Sequence, residues 1–151
     1  MVRKTVVLLA FSHLGAQYVA AQNDTQGHLR LQVQMPLHAH GRLFWTVFDS
    51  PDGFPGNRSK SRLHGSAPEY SGVPNVQIDT GPLAAGTYAV AVYLDLNGNG
   101  KLDYRFPGIP KEPVGASNNP PGRLGPPRFS DAAFVHRAED QTVVIRLVDP
   151  K

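Results

Sequence analysis

The strictest constraint on this chain is a two-residue rhythm. From His28 onward, Leu29, Leu31, Val33 and Met35 alternate with Arg30, Gln32 and Gln34, and only an extended backbone puts every second side chain on one face. The run reads as a strand with one wet face, ended by Pro36. Arg42 to Phe48 follows, with Leu43, Trp45 and Val47 on one face and Phe44, Thr46 and Phe48 on the other. Apolar groups pointing both ways place such a strand in the middle of a sheet or beneath a loop. Thr87 to Leu94 is the clearest strand of all. Tyr88, Val90, Val92 and Leu94 share a face, while Ala89 and Ala91 leave room for a close neighbour on the other.

Val76 and Ile78 mark a short strand, and Pro82 to Gly86 a turn. Ala132 to Arg137 and Thr142 to Val148 flank Ala138–Gln141, a spacing that predicts an antiparallel hairpin with Val143, Ile145 and Leu147 toward the core. A further short strand near Tyr104 brings the total to about seven, and 15 Gly and 14 Pro supply the turns between them. The expected fold is all-β, a single antiparallel β-sandwich of the immunoglobulin or prealbumin kind. Two segments fall outside the rhythm. Asp49 to Gly72 reads as a long surface excursion. Tyr104 to Ser130 reads as an ordered Pro/Gly-rich loop, because its many prolines lower the entropy of the unfolded chain and make one conformation cheaper to hold.

The first residues obey a different pattern. Arg3 and Lys4 precede an apolar run from Thr5 to Ala16, and Val19-Ala20-Ala21 follow. This is the layout of a secretory signal peptide over residues 1–21, with a single domain over 22–151. The run falls well short of the ~20 residues a bilayer crossing needs, so no membrane span is expected. Of 15 basic and 12 acidic residues, two basic ones lie in this leader, leaving 15 − 2 = 13 against 12. A near-neutral domain lacks the clustered basic surface on which nucleic-acid binding draws. Cys is absent, which excludes disulfides, thiolate metal sites, cysteine nucleophiles and a lipidated cysteine. A small exported domain without disulfides suits a bacterial envelope, periplasmic or extracellular.

One segment carries chemistry. Asp95-Leu96-Asn97-Gly98-Asn99-Gly100-Lys101-Leu102-Asp103 follows directly on the clearest strand. Oxygen-bearing side chains at every second position, with glycines where the chain must bend, are what a short loop needs to wrap a hard cation. Asp95, Asn97 and Asn99 would offer side-chain oxygens, Lys101 a backbone carbonyl, and Asp103 a direct or water-mediated contact to Ca²⁺. The opening matches the EF-hand pattern, but the twelfth position holds Phe106 in place of a bidentate glutamate, so the loop is not an EF-hand. With two carboxylates it would bind on the order of millimolar; Glu112, Asp131 or Asp49 could add a remote ligand. Asn-Gly-Asn-Gly is equally a turn signal. Further on, Glu112, Ser117, Asn118 and Asn119 compose a candidate ligand-binding pocket, although such groups often satisfy a loop's own backbone. His38-Ala39-His40 lacks a third metal ligand and reads as a solvated turn.

These residues are similar to a known family. Gly86-Thr87-Tyr88-Ala89-Val90-Ala91-Val92-Tyr93, the Asp95–Asp103 loop, Gly108-Ile109-Pro110-Lys111-Glu112, Ser117-Asn118-Asn119 and Gly125-Pro126-Pro127-Arg128-Phe129-Ser130-Asp131-Ala132-Ala133-Phe134 resemble the bacterial domain of unknown function 2141, over about Leu29 to Val148. The resemblance implies a signal-bearing, extracytoplasmic protein with no established activity. Val114 and Ala116 depart from it, where larger, often aromatic residues are expected. Three functions follow as expectations. The first is a non-enzymatic binding or accessory module with a calcium-held loop, facing an envelope protein or a glycan. The second is a small hydrolase using Lys111, Glu112 and Asn118, and the third a structural domain without ligand.

Overall fold

The computed structural model describes residues 26–37, 39–121 and 125–150; the leader assigned to 1–21 and His38 lie outside them. The described chain is all-β, with ten strands: β1 Gly27–Gln34, β2 His40–Phe48, β3 Leu63–Ser71, β4 Asn75–Leu83, β5 Gly86–Asp95, β6 Tyr104–Arg105, β7 Ile109–Pro110, β8 Val114–Ala116, β9 Phe134–His136 and β10 Gln141–Arg146. One four-residue helix, α1 Phe129–Ala132, precedes β9. Three strands form one sheet in the order β10-β1-β4, and a larger sheet runs β3-β2-β5-β8 with β9 also on β5. β6 and β7 make a separate hairpin.

A single apolar cluster joins the two larger sheets. Leu29, Leu31, Val33, Val76, Ile78 and Ile145 come from the first, and Leu43, Trp45, Val47, Val90, Val92 and Leu94 from the second. These are the faces that the alternation assigned to the core. Each side chain of this kind contributes roughly 1.5–3 kcal/mol when fully buried. On the outer side of β5, Ala89 packs with Ala116 and Ala132 beneath Phe54 and Phe129. Phe54 meets Phe48 edge-on at 5.4 Å. This accounts for the two-sided apolar character of β2, which lies between β3 and β5 and is also roofed by the loop after it.

Three expectations are corrected. The last two strands do not form a hairpin: β9 pairs antiparallel with β5, while β10 pairs in parallel with β1, so the sheets are not wholly antiparallel. β1 has only β4 on one side, and the alternating Val143, Ile145 and Leu147 cover more apolar surface by completing that sheet than by following β9. Arg30 and the backbone N–H of His28 hold Asp140 at 2.9 Å each, tying the connector to β1. The Asp49–Gly72 excursion contains β3, which pairs with β2 from His40↔Ser71 to Val47↔Leu63. Its Gly65 is required by packing, because a Cβ there would stand 2.5 Å from the Trp45 ring. β6 is the short strand expected near Tyr104, but the rest of the segment to Ser130, expected to be loop, holds β7, β8 and the start of α1. The strand total is therefore ten among the described residues rather than about seven.

Candidate functional site

The Asp95–Asp103 loop leaves the end of β5, where Arg42 of β2 faces Asp95 across the ladder. Gly98 and Gly100 adopt φ of 74° and 75°, left-handed values that glycine holds without strain. These bends turn the loop's amides inward onto a buried carboxylate. Asp95 is 2% exposed, and its two oxygens accept the N–H groups of Gly98 at 2.8 Å and Gly100 at 2.7 Å. Asn97 Oδ1 accepts from the Asn99 N–H and Asn99 Oδ1 from the Lys101 N–H. The two amide groups then converge: Asn97 Nδ2 and Asn99 Nδ2 each donate to Asp103 Oδ2 at 2.8 Å. Those two bonds, Asn97 first, hold the Asp103 carboxyl below the ordinary aspartate value.

Glu112 closes the loop from outside. It is 3% exposed, with Oε1 accepting the Leu96 N–H and Oε2 the Asp103 N–H, both at 3.1 Å. One buried carboxylate thus holds both ends of the nine-residue segment. Tyr93 holds the middle, its hydroxyl donating to the Gly100 carbonyl at 3.1 Å. Its ring stacks on Phe44 with centroids 5.1 Å apart. Burial, followed by the charge of Asp95, pushes the Tyr93 hydroxyl pKa up to about 12. The sequence reading did not select Tyr93; its signal was an aromatic at an outward position of the clearest strand, one residue before the end of the apolar run. Beside the loop lies an open depression of about 480 Å³, lined by Gly41, Arg42, Phe44, Glu69 and the Asp95–Gly100 backbone and side chains.

The other sequence-selected residues have different partners. Ser117 is wholly buried and sits where β8 has ended and β9 has not yet begun along β5. Its N–H donates to the Val90 carbonyl at 3.0 Å. Its hydroxyl accepts the Val90 N–H at 2.9 Å and donates to the Ala132 carbonyl at 2.5 Å. Asn118 donates to the carbonyls of Asp131 and Ala133. Asn119 covers the outer edge of β10, donating to the Val144 carbonyl and accepting from the Arg146 N–H. Both asparagines take left-handed φ, 62° and 46°, which asparagine tolerates better than most residues. Glu112 thus belongs with the Asp95–Asp103 loop, and Ser117–Asn119 form a clamp among β5, α1 and β10. The two groups share no hydrogen-bond partner among the described residues. Asp131 and Asp49 are not among the loop's hydrogen-bond partners.

Among the described residues no three or more His, Asp or Glu side chains gather as a metal cluster. The loop's donor set is instead two carboxylates, Asp95 and Asp103, completed by amide and carbonyl oxygens. A carboxylate has about four acceptor sites, so the amides on Asp95 leave lone pairs for a further partner.

Carboxylates elsewhere are also held below their ordinary value of 3.8, Asp79 chiefly by the Gly81 N–H and then His28, Asp140 chiefly by the His28 N–H and then Arg30. A lowered folded-state value means that the unfolded chain binds more protons, so the stability these groups contribute is present above 3.8 and lost as pH falls through their folded values. Thermal melting is expected to be level down to about pH 5 and to fall steadily below it. The same titration of Asp79→Asn should show a shallower fall, and an unchanged profile would remove Asp79 from this account.

The fold and this site define a class: an all-β domain with an Asx-rich loop held at one end of its larger sheet by a buried glutamate. The chain belongs to the bacterial family described as "Uncharacterized protein conserved in bacteria (DUF2141)", whose model matches residues 31–144. No curated protein and no solved structure matches it. Among the described residues no helix is long and apolar enough to cross a membrane.

Proposed function

We propose that the protein is an exported, non-enzymatic binding or accessory module of the bacterial envelope, periplasmic or extracellular, whose Asp95–Asp103 loop takes a calcium ion. The two larger sheets around their common core are read as one β-sandwich of the immunoglobulin/prealbumin kind, with the loop at its rim. Export rests on the leader pattern of residues 1–21, and the bacterial envelope on an exported domain that lacks cysteine.

The observation that supports the calcium reading is a glycine-bent loop in which Asp95 gathers the Gly98 and Gly100 N–H groups while the Asn97 and Asn99 side chains meet on the Asp103 carboxylate. Rotation of each Asn amide would give up the bond its oxygen now accepts from the Asn99 or Lys101 N–H and place that oxygen beside Asp103, where a hard divalent ion would take both. The ion would have a structural role, stiffening the loop and with it the β6–β7 hairpin that follows. No hydrolytic step is assigned to Lys111, Glu112 and Asn118, since both Glu112 oxygens and the Asn118 amide are engaged with backbone groups.

A ligand that prefers the folded state raises its stability. Calcium at about ten times its Kd is expected to add about 1.4 kcal/mol and raise the melting temperature by a few degrees. Asp103→Asn, at a side chain that is not fully buried, should abolish that increment while leaving the chelator-treated protein nearly as stable as wild type. Identical melting in 10-fold different calcium concentrations through the millimolar range would favour a domain without this ligand.

A further inference from the structure

Two of the chain's seven asparagines precede glycine, Asn97-Gly98 and Asn99-Gly100, and both pairs lie in the loop after β5. An asparagine in that context can lose its side-chain amide without an enzyme: the following backbone nitrogen attacks Cγ, and glycine has no side chain to obstruct it. A Cβ at either glycine would meet nothing within 4 Å, so the space around both pairs is open. The other asparagines are followed by Asp24, Arg58, Val76, Asn119 and Pro120, and Pro120 has no N–H to use.

The loop both favours this reaction and withholds it. Asn97 Oδ1 and Asn99 Oδ1 already accept the Asn99 and Lys101 N–H groups, donors that stand where negative charge gathers when Cγ is attacked. The nucleophiles, however, are engaged. Gly98 and Gly100 give their N–H groups to the two oxygens of Asp95, at 2.8 and 2.7 Å, and Asp95 is 2% exposed. Removing either proton sets a second negative charge beside a buried one. The leaving groups are held as well, since both Nδ2 atoms donate to Asp103 Oδ2. With its pKa below the ordinary aspartate value, Asp103 carries no proton for a departing amine near neutral pH. Glu112 fixes both ends of the segment, so these restraints are released together when the loop opens locally.

We propose that Asn97 and Asn99 form a paired deamidation site held closed by Asp95, Asp103 and Glu112, so that opening of this loop sets its rate. In each event the Gly98 or Gly100 nitrogen gives its proton to solvent and bonds to Cγ of the preceding asparagine. The Cγ–Nδ2 bond breaks, ammonia leaves with a proton taken from water, and a cyclic succinimide remains. Water then opens the ring at either carbonyl, giving aspartate or isoaspartate. The balance is one water consumed and one ammonia released. Each event adds a carboxylate between Asp95 and Asp103; its effect on an ion rests on the calcium reading of this loop, whereas the modification itself does not.

The test follows the full folded chain at mildly alkaline pH by peptide mass mapping, in which each event adds one mass unit, with the urea-denatured chain alongside. Native Asn97 and Asn99 are expected to convert at least about 100-fold more slowly than in urea. Glu112→Gln should accelerate both about tenfold or more under native conditions, and Asp103→Asn, at a side chain that is not fully buried, should act in the same direction. Ser117→Ala weakens the fold away from the loop and should leave both rates as they were. Native conversion as fast as in urea overturns the proposal, as does the absence of acceleration in both loop variants. Equal acceleration in Ser117→Ala overturns it too, because global unfolding would then set the rate. Asn97→Asp with Asn99→Asp makes the product directly, and its melting in calcium and in chelator is compared with wild type. A lower calcium requirement joins the two readings; an unchanged one, with conversion as expected, removes the ion and leaves the deamidation site.

Discussion

Replacing Ser117 by alanine is expected to lower the unfolding free energy by about 3 kcal/mol, and the melting temperature by roughly 10 °C. The size of the effect follows from where the hydroxyl sits. Val90 is in the middle of β5, wholly buried, and at that point neither β8 nor β9 supplies an acceptor for its N–H. Ser117 Oγ supplies it, and passes its own hydrogen to the Ala132 carbonyl. Alanine removes one small side chain but strands a donor and an acceptor at once, each costing about 1–3 kcal/mol when buried and unpaired. Denaturant unfolding should show a lower midpoint with an unchanged slope. Threonine, which keeps the hydroxyl, should lose less than alanine unless its extra methyl group clashes. A near-neutral Ser117→Ala would mean that Ser117 is a ligand-facing group rather than a piece of the ladder.

The second large effect concerns Glu112. Its conversion to glutamine keeps shape and removes charge, yet it turns an NH₂ group toward one of two backbone N–H donors. A loss of about 2–3 kcal/mol is expected, since charge-assisted bonds to buried carboxylates are the stronger kind. Amide exchange at Leu96 and Asp103 should accelerate together, because one side chain protects both. The calcium response should also weaken, as both ends of the loop are released. A Glu112 that worked as a free acid or base in a polar pocket would behave differently: glutamine would abolish activity on some substrate while leaving stability and exchange as they were.

Much of the fold was legible in the sequence. β1, β2, β5 and β10 announce themselves by alternation, and the core faces read from Leu29, Leu43, Val90 and Ile145 are the faces that meet. The small residue Ala89 signalled a close neighbour on its face, and Ala132 of α1 lies there with Phe54 and Phe129. What the sequence hid has a common cause. β3, with Gly65 and Pro68 in nine residues, has no strand propensity of its own; its pairing with β2 creates it, and an edge position tolerates the proline. β7 and β8 are too short to show a period.

The loop was legible as a loop, and its oxygens were all named from spacing alone. Their arrangement was not. Glu112 and Asn118 stand six positions apart in one proline-rich stretch, and nothing local separates a carboxylate that braces the Asp95–Asp103 segment from an amide that ties down α1 and its C-cap residue Ala133. The parallel pairing of β10 with β1 was equally out of reach, because a short connector between two strands reads as a hairpin until the competing edge of β1 is known. Periodicity and composition determined the all-β class, the inward faces and the Asx- and glycine-rich loop, since these depend on neighbours along the chain. Sheet order, the ladder gap filled by Ser117 and the buried hold of Glu112 were decided only by the tertiary structure. Each is a choice among distant partners, made by whichever arrangement leaves the fewest backbone groups unpaired and the least apolar surface in water.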